Sequence, residues 1–192
     1  MSHTDSEKWN AIYHAGGHDR EEPARVLKNY AHLLPDGGNA LDLACGTGAN
    51  AIFLAQHGLK TSAWDISAQA ILRLQARAAG KKLAIETRVC DVIAQPPPAN
   101  SFDVIVTSYF LDRTLFPALI NALKKNGLLY YQTYIRERST EAGPRNEDFR
   151  LDRNELLHLC RDLHIVLYHE EGRIGDIKSG FRDEAMLIGQ RR

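Results

Sequence analysis

What the sequence lacks narrows it first. Cysteine is scarce: Cys45, Cys90 and Cys160 are an odd number of widely spaced thiols, which argues against a disulfide framework and for the reduced thiols of a cytoplasmic protein. No apolar run approaches the roughly 18 residues of a membrane helix. The opening MSHTDSEKWN is polar and carries no signal-peptide core. Charge of one sign is not in excess: Lys plus Arg is 24 and Asp plus Glu is 24, so the formal net charge is zero and a strongly cationic nucleic-acid binder is disfavoured. Internal repeats are missing, and Pro96-Pro97-Pro98 is one rigid loop, too short to link two domains. Eight histidines are present, but His14 and His18 flank Gly16-Gly17, a poor helix sequence, and no spacing suits a zinc site, so no metal is expected.

What remains is ordinary globular composition, 44% hydrophobic and 25% charged over 192 residues, the size of one domain spanning 1–192. From residue 39 short apolar strands alternate with helical patterns, the signature of an α/β sheet. Strands are expected at 39–44, 60–64, 83–89, 104–106, 128–131, 164–169 and 181–189. The alternation at 83–89 suggests a sheet edge, whereas Val104-Ile105-Val106 and Leu128 to Tyr131 read as central strands covered on both faces. Helices are expected at 49–57, at 68–80 behind a Ser67 cap, at 114–123, and at 152–163 behind an Asp152/Glu155 capping box. In the second of these, Ile71, Leu74 and Ala78 share one face, with Arg73 and Arg77 turned outward. Residues 1–38 supply two more helices, 5–13 and 22–34, expected as a cap over the carboxyl edge of the sheet, where ligands bind in open α/β folds. Trp9 and Tyr13, one turn apart, read as packing.

LDLACGTG is the informative segment. A strand delivers Asp42, then Gly46 and Gly48 permit a tight turn and close approach of a ligand to backbone. The helix that follows aims its free N–H groups at the same place. Asp65 ends the second strand, where a carboxylate can accept both hydroxyls of a ribose. Asp91 follows the third, where it can accept from an adenine amino group. Each aspartate alone is most simply a turn or helix cap. Three at the ends of successive strands point to a nucleoside site. A dinucleotide would set pyrophosphate against the glycine loop, where Asp42 repels it, and Ala51 stands where a dinucleotide fingerprint has its third glycine. S-adenosylmethionine brings a sulfonium and an ammonium, which a carboxylate attracts, and its own carboxylate suits the helix start.

These segments resemble the class I S-adenosylmethionine-dependent methyltransferases over almost the full chain. LDLACGTGANAIFLAQHG is similar to that class's first motif, AWDIS and CDV to its second and third, SFDVIVTSYF to the fourth-strand motif, and LKKNGLLYYQTY to the strand after it. KWNAIYHAG, YFLDRTLFP and GPRNEDFRL are most similar to the small bacterial group related to tellurite-resistance and thiopurine methyltransferases. The resemblance implies a three-layer, doubly wound, Rossmann-like sheet of seven strands in the order 3-2-1-4-5-7-6, with strand 7 antiparallel. It implies that Ala44, Gly46 and Gly48 line the methionine part of S-adenosyl-L-methionine (product S-adenosyl-L-homocysteine), with Asp42 nearby. Asp65 would hold the ribose, Ile66 pack on the adenine, Asp91 and Val92 meet its edge, Thr107 face the ribose–methionine side, and Tyr13 close over the sulfonium. Ile12 is apolar where the group often has a charge.

The acceptor is expected to be a small molecule: tellurite, selenite or a thiol. No Asn/Asp-Pro-Pro-Tyr/Phe motif follows strand four, where Thr107-Ser108-Tyr109-Phe110 stands, which counts against methylation of nucleic-acid base amines. Tyr109 and Arg113 are the candidates for the acceptor side, Arg113 as holder of an anion. The cluster Arg136, Arg138 and Arg145 can attract an oxyanion or form a solvated lid. Two other readings stay open: a binding module that keeps the cofactor pocket and methylates nothing, and a nicotinamide-dependent oxidoreductase. A monomer or homodimer away from membranes is expected.

Overall fold

Seven strands form one sheet in the order β3-β2-β1-β4-β5-β7-β6. They are β1 (Asn39–Leu43), β2 (Lys60–Asp65), β3 (Ile85–Val89), β4 (Phe102–Ser108), β5 (Leu123–Tyr134), β6 (His164–Glu170) and β7 (Glu184–Gln190). The first five run parallel, and β7 lies antiparallel between β5 and β6, matching the expected order and reversal. This computed structural model describes residues 3–17 and 19–192, with side chains from residue 5 onward, so His18 lies outside the described residues.

The continuous apolar runs became central strands because both faces are covered. Leu41, Leu43, Ile105, Leu129 and Tyr131 pack on one side against Phe116 and Leu119 of α5 (Phe116–Ala122) and Leu156 of α6 (Glu155–Leu159). Ala40, Val104, Val106 and Tyr130 pack on the other against Val26 and Leu27 of α2 (Arg25–Asn29) and Leu54 of α3 (Ala49–Gln56). Ile71 and Leu74 of α4 (Ala68–Gly80) close a third cluster with Ala51, Ile52 and Ala63. Each buried leucine contributes on the order of 1.5–3 kcal/mol. β3, the alternating segment, forms one edge, and its residues stay half-exposed or exposed. The fold thus has helices on both faces of a mostly parallel sheet.

Several boundaries moved. The capping-box helix shrinks to α6 because Asn154 sits in the left-handed region at φ 60°. Only half of the box forms: the Asp152 N–H donates to Glu155 Oε2 (2.8 Å), while the Asp152 carboxylate is taken by Arg136 at 2.8 and 2.9 Å. β5 begins at Leu123, five residues before its apolar run, because its polar start pairs with the chain's end through Asn126 N to Arg191 O (2.7 Å) and Arg191 N to Gly127 O (3.0 Å). Residues 22–34 hold α2 and a separate 3-10 turn at Ala31–Leu33. The first helix, α1, spans His3–His14. Among the described residues no helix is long and apolar enough to cross a membrane, and no three metal-binding side chains converge.

Candidate functional site

The parallel strands bring Asp42, Asp65, Asp91 and Thr107 toward one edge of the sheet, their carboxyl ends. The loop from β1 to α3 turns sharply there: Ala44, Gly46 and Gly48 have φ of 56°, 53° and 79°. A Cβ on Gly48 would collide with the buried side chain of Leu74, and one on Gly46 would stand 2.7 Å from the Tyr13 hydroxyl. The loop therefore runs under two side chains with no room for a third.

Asp42 is fully buried beneath this loop. Its carboxylate accepts from Ala51 N (2.9 Å) and Asn50 Nδ2 (3.3 Å), so it caps the first turn of α3. Burial nonetheless pushes its carboxyl up to about 7, against the lowering effect of those two bonds. Asp65 is 6% exposed and holds the loop from the other side, accepting from Gly46 N and Ser67 N, both at 2.8 Å. Burial raises its carboxyl as well. Each Asp65 oxygen keeps a second lone pair for another donor. Asp91 Oδ1 accepts from Ile93 N (2.9 Å) and Ala94 N (3.4 Å), and Val92 is buried in the main core. Thr107 Oγ1 is buried with no hydrogen-bond partner among the described residues. A fully buried hydroxyl left unpaired is unusual, and a ligand atom is one way to satisfy it.

The N-terminal segment lies across this edge and is fastened by side chains. Tyr13, buried over Gly46, stacks on Trp9 at 5.9 Å, and burial pushes its hydroxyl up. Asn10 Oδ1 accepts from Ser67 Oγ (2.8 Å) and Gln69 N (3.2 Å), and Ser6 Oγ donates to Ile66 O (3.3 Å). Arg73 and Arg77, read from periodicity as outward, bind the segment instead. Arg73 donates to Tyr13 O (2.8 Å) and pairs with Asp19 (2.5 Å), while Arg77 donates to Thr47 O (2.7 Å) and Arg20 O (3.1 Å). Two side-chain amides seat α2: Asn50 Oδ1 accepts from Ala24 N (2.9 Å) and Gln132 Oε1 from Val26 N (2.8 Å).

Beyond Thr107, Tyr109 directly follows β4 in the left-handed region at φ 58°. Gln132 Nε2 donates to the Tyr109 hydroxyl (2.9 Å) and to Glu184 Oε2 (2.5 Å), and the Tyr109 hydroxyl lies 3.4 Å from that same oxygen. Burial raises both the Glu184 carboxyl and the Tyr109 hydroxyl. Tyr134 faces Tyr109 with ring centroids 5.2 Å apart. Arg20, Asn50, Gln132, Tyr134 and Glu184 were not singled out from sequence, because no local motif marks them.

Arg113 must be reassigned. Its guanidinium binds Glu155 through Nε (2.6 Å) and Nη2 (3.0 Å), Asp148 O through Nη1 (2.6 Å) and Arg150 O through Nη2 (2.9 Å). With four of its five N–H donors engaged by the protein, it pins the 148–155 segment and keeps one Nη1 hydrogen for an anion. Arg136 is likewise held by Asp152, and Arg138 pairs with Glu141 at 3.6 Å.

Residues 40–127 match the family described as "Methyltransferase domain". The match, which covers a little under half of the chain, and the sheet topology make this chain similar to the class I S-adenosylmethionine-dependent methyltransferases and, among them, to the TehB group. The probable S-adenosyl-L-methionine-dependent methyltransferase TehB of Haemophilus influenzae is 29% identical over 136 residues, covering 68% of this chain and 47% of that protein. The chain spans about half the length of the TehB proteins it matches, 47% in each case. Phosphoethanolamine N-methyltransferase of Triticum aestivum is 28% identical over 132 residues, 65% of this chain and 25% of that protein. The crystal structure of TehB from Haemophilus influenzae superposes with a TM-score of 0.72 at 20% identity, covering 96% of this chain and 67% of that one, a likeness of fold.

Proposed function

We propose that this chain binds S-adenosyl-L-methionine at the β1–α3 loop and transfers its methyl group to a small molecule. One observation carries the reading: two buried carboxylates and an unpaired buried hydroxyl flank a glycine loop at the carboxyl edge of the sheet. The residues suit that donor chemically. Asp65 has lone pairs left for ribose hydroxyls, and Thr107 Oγ1 has an unmet hydrogen bond on the ribose–methionine side. Ala44, Gly46 and Gly48 would line the methionine part, Ile66 the adenine face, and Asp91 and Val92 its edge. Tyr13 would cover the sulfonium end and exclude water. Asp42 supplies negative potential below the loop, which favours a cation and opposes a pyrophosphate. When bound, the donor supplies an already activated methyl group. The chain's work is then positioning and desolvation, worth on the order of 7–11 kcal/mol when reacting atoms are held in line.

The acceptor is less constrained. An oxyanion such as tellurite or selenite would find one free donor on Arg113, its expected holder, so those ions, with thiols, stand as arms of the acceptor panel beside amines. Calorimetric titration tests the donor. The wild type should bind S-adenosyl-L-homocysteine and S-adenosyl-L-methionine, and Asp65→Ala should abolish both. A melt shift with NAD and none with either sulfur compound would overturn the assignment. Binding without labelled methyl transfer to any acceptor would favour a non-catalytic module.

A further inference from the structure

We propose that Tyr109, Tyr134 and Glu184 form a binding site for an organic cation, an amine or a guanidine, and that Arg20 of the chain fills it while the N-terminal segment is closed. The occupant is visible. The Arg20 guanidinium lies over the Tyr109 ring, 3.5 Å from its centroid, and Nη2 donates to the Tyr134 hydroxyl at 3.0 Å. Around it stand two aromatic rings 5.2 Å apart and the Glu184 carboxylate, fixed through Tyr109 and Gln132. Ring faces and a carboxylate attract a cation and repel an anion. Burial raises the Glu184 carboxyl, while the Gln132 hydrogen bond and the positive charge of Arg20 lower it, so a cation seated there favours the charged form.

The site is built on rigid elements, whereas its occupant is not. Tyr109, Tyr134 and Glu184 belong to, or directly follow, three neighbouring strands, and Tyr109 holds a backbone conformation that costs a non-glycine residue energy. Arg20 is exposed and lies in a loop outside any helix. The loop's ties are the half-exposed Asp19–Arg73 pair and the bond from Arg77 to Arg20 O, and exposed pairs of this kind hold weakly. Arg20 is thus a plug that a free cation can displace. The inference rests on the methyltransferase reading only in calling that cation the methyl acceptor. Tyr109 lies two residues beyond Thr107, on the far side from the glycine loop.

The test uses the full chain and calorimetry, with benzylammonium and methylguanidinium as probes, benzyl alcohol as the neutral control and selenite as the anion. Arg20→Ala, with Arg20→Gln as the alternative should the first fold poorly, should bind the cations at least about tenfold more tightly than the wild type, equivalent to about 1.4 kcal/mol. Adding Glu184→Gln should remove that gain, and benzyl alcohol and selenite should give no heat. Unchanged cation affinity in both Arg20 variants, or selenite binding that weakens when Arg20 is removed, overturns the proposal. S-adenosyl-L-homocysteine is titrated separately into the same proteins. A variant that binds it but no cation refutes the cation site alone, and one that binds cations but not it refutes the donor assignment alone.

Discussion

Replacing Asp42 by Asn should remove a fall in stability that this chain suffers as pH rises from 5 to 8. In the fold, burial lifts the Asp42 carboxyl from its ordinary 3.8 to about 7. Between those two values the native state holds a proton that the unfolded chain has released, so stability falls as pH rises through the window. The contribution is fully present below about pH 4 and gone above about pH 7. At 1.36 kcal/mol per pH unit, the wild type loses roughly 3 kcal/mol from this group between pH 5 and pH 8. Asn does not titrate and escapes that loss. It keeps one oxygen for Ala51 N but meets Asn50 Nδ2 with a second amide, a loss of about 1 kcal/mol. By pH 5 the wild type has already lost between about 1 and 2 kcal/mol from this group, so Asp42→Asn should lie within about 1 kcal/mol of it there and be about 3 kcal/mol more stable at pH 8. Urea denaturation followed by circular dichroism at pH 5, 6, 7 and 8 reads both curves, and groups titrating alike in the two proteins cancel. A gap between the two proteins that stays constant from pH 5 to pH 8 would show that Asp42 is ionised throughout, and the argument from burial would fail. The same linkage predicts that the sulfonium donor, unlike its neutral product, releases a proton on binding near pH 7.

Two further substitutions separate fold from function. Gly48→Ala combines a left-handed backbone with a clash against Leu74, about 2–4 kcal/mol together, while Gly175→Ala has similar backbone strain and open space, about 1–2 kcal/mol. Equal losses of melting temperature in the two variants would show that Leu74 yields freely. Arg113→Ala should cost about 1–3 kcal/mol of stability by freeing the 148–155 segment, with affinity for S-adenosyl-L-homocysteine unchanged within about twofold. A loss of affinity without a loss of stability would return Arg113 to the binding site.

The parallel core and the cluster of aspartates about the glycine loop were legible in the sequence because they are local. Val104 to Val106 is apolar throughout and so must be covered on both faces. A strand, a left-handed turn and a helix start follow one another within LDLACGTG, and Asp65 ends the next strand in register beside it. The cluster around Tyr109 was not legible beyond Tyr109 itself. Arg20, Tyr109, Gln132, Tyr134 and Glu184 come from four separate segments, and they meet only because β7 enters antiparallel beside β5 and the N-terminal segment folds back over both. Arg73 and Arg77 show the same limit. Periodicity turned them from the core correctly but could not see the segment they would hold. Sequence could not choose for Arg113 between an anion holder and a surface arginine at a helix start, since its partners lie 35 to 42 positions away. Hydrophobic pattern and turn chemistry act between near neighbours and are written in order along the chain. The pairing of polar side chains depends on which distant segments the packed sheet brings within about 3 Å, and only the tertiary structure decides that.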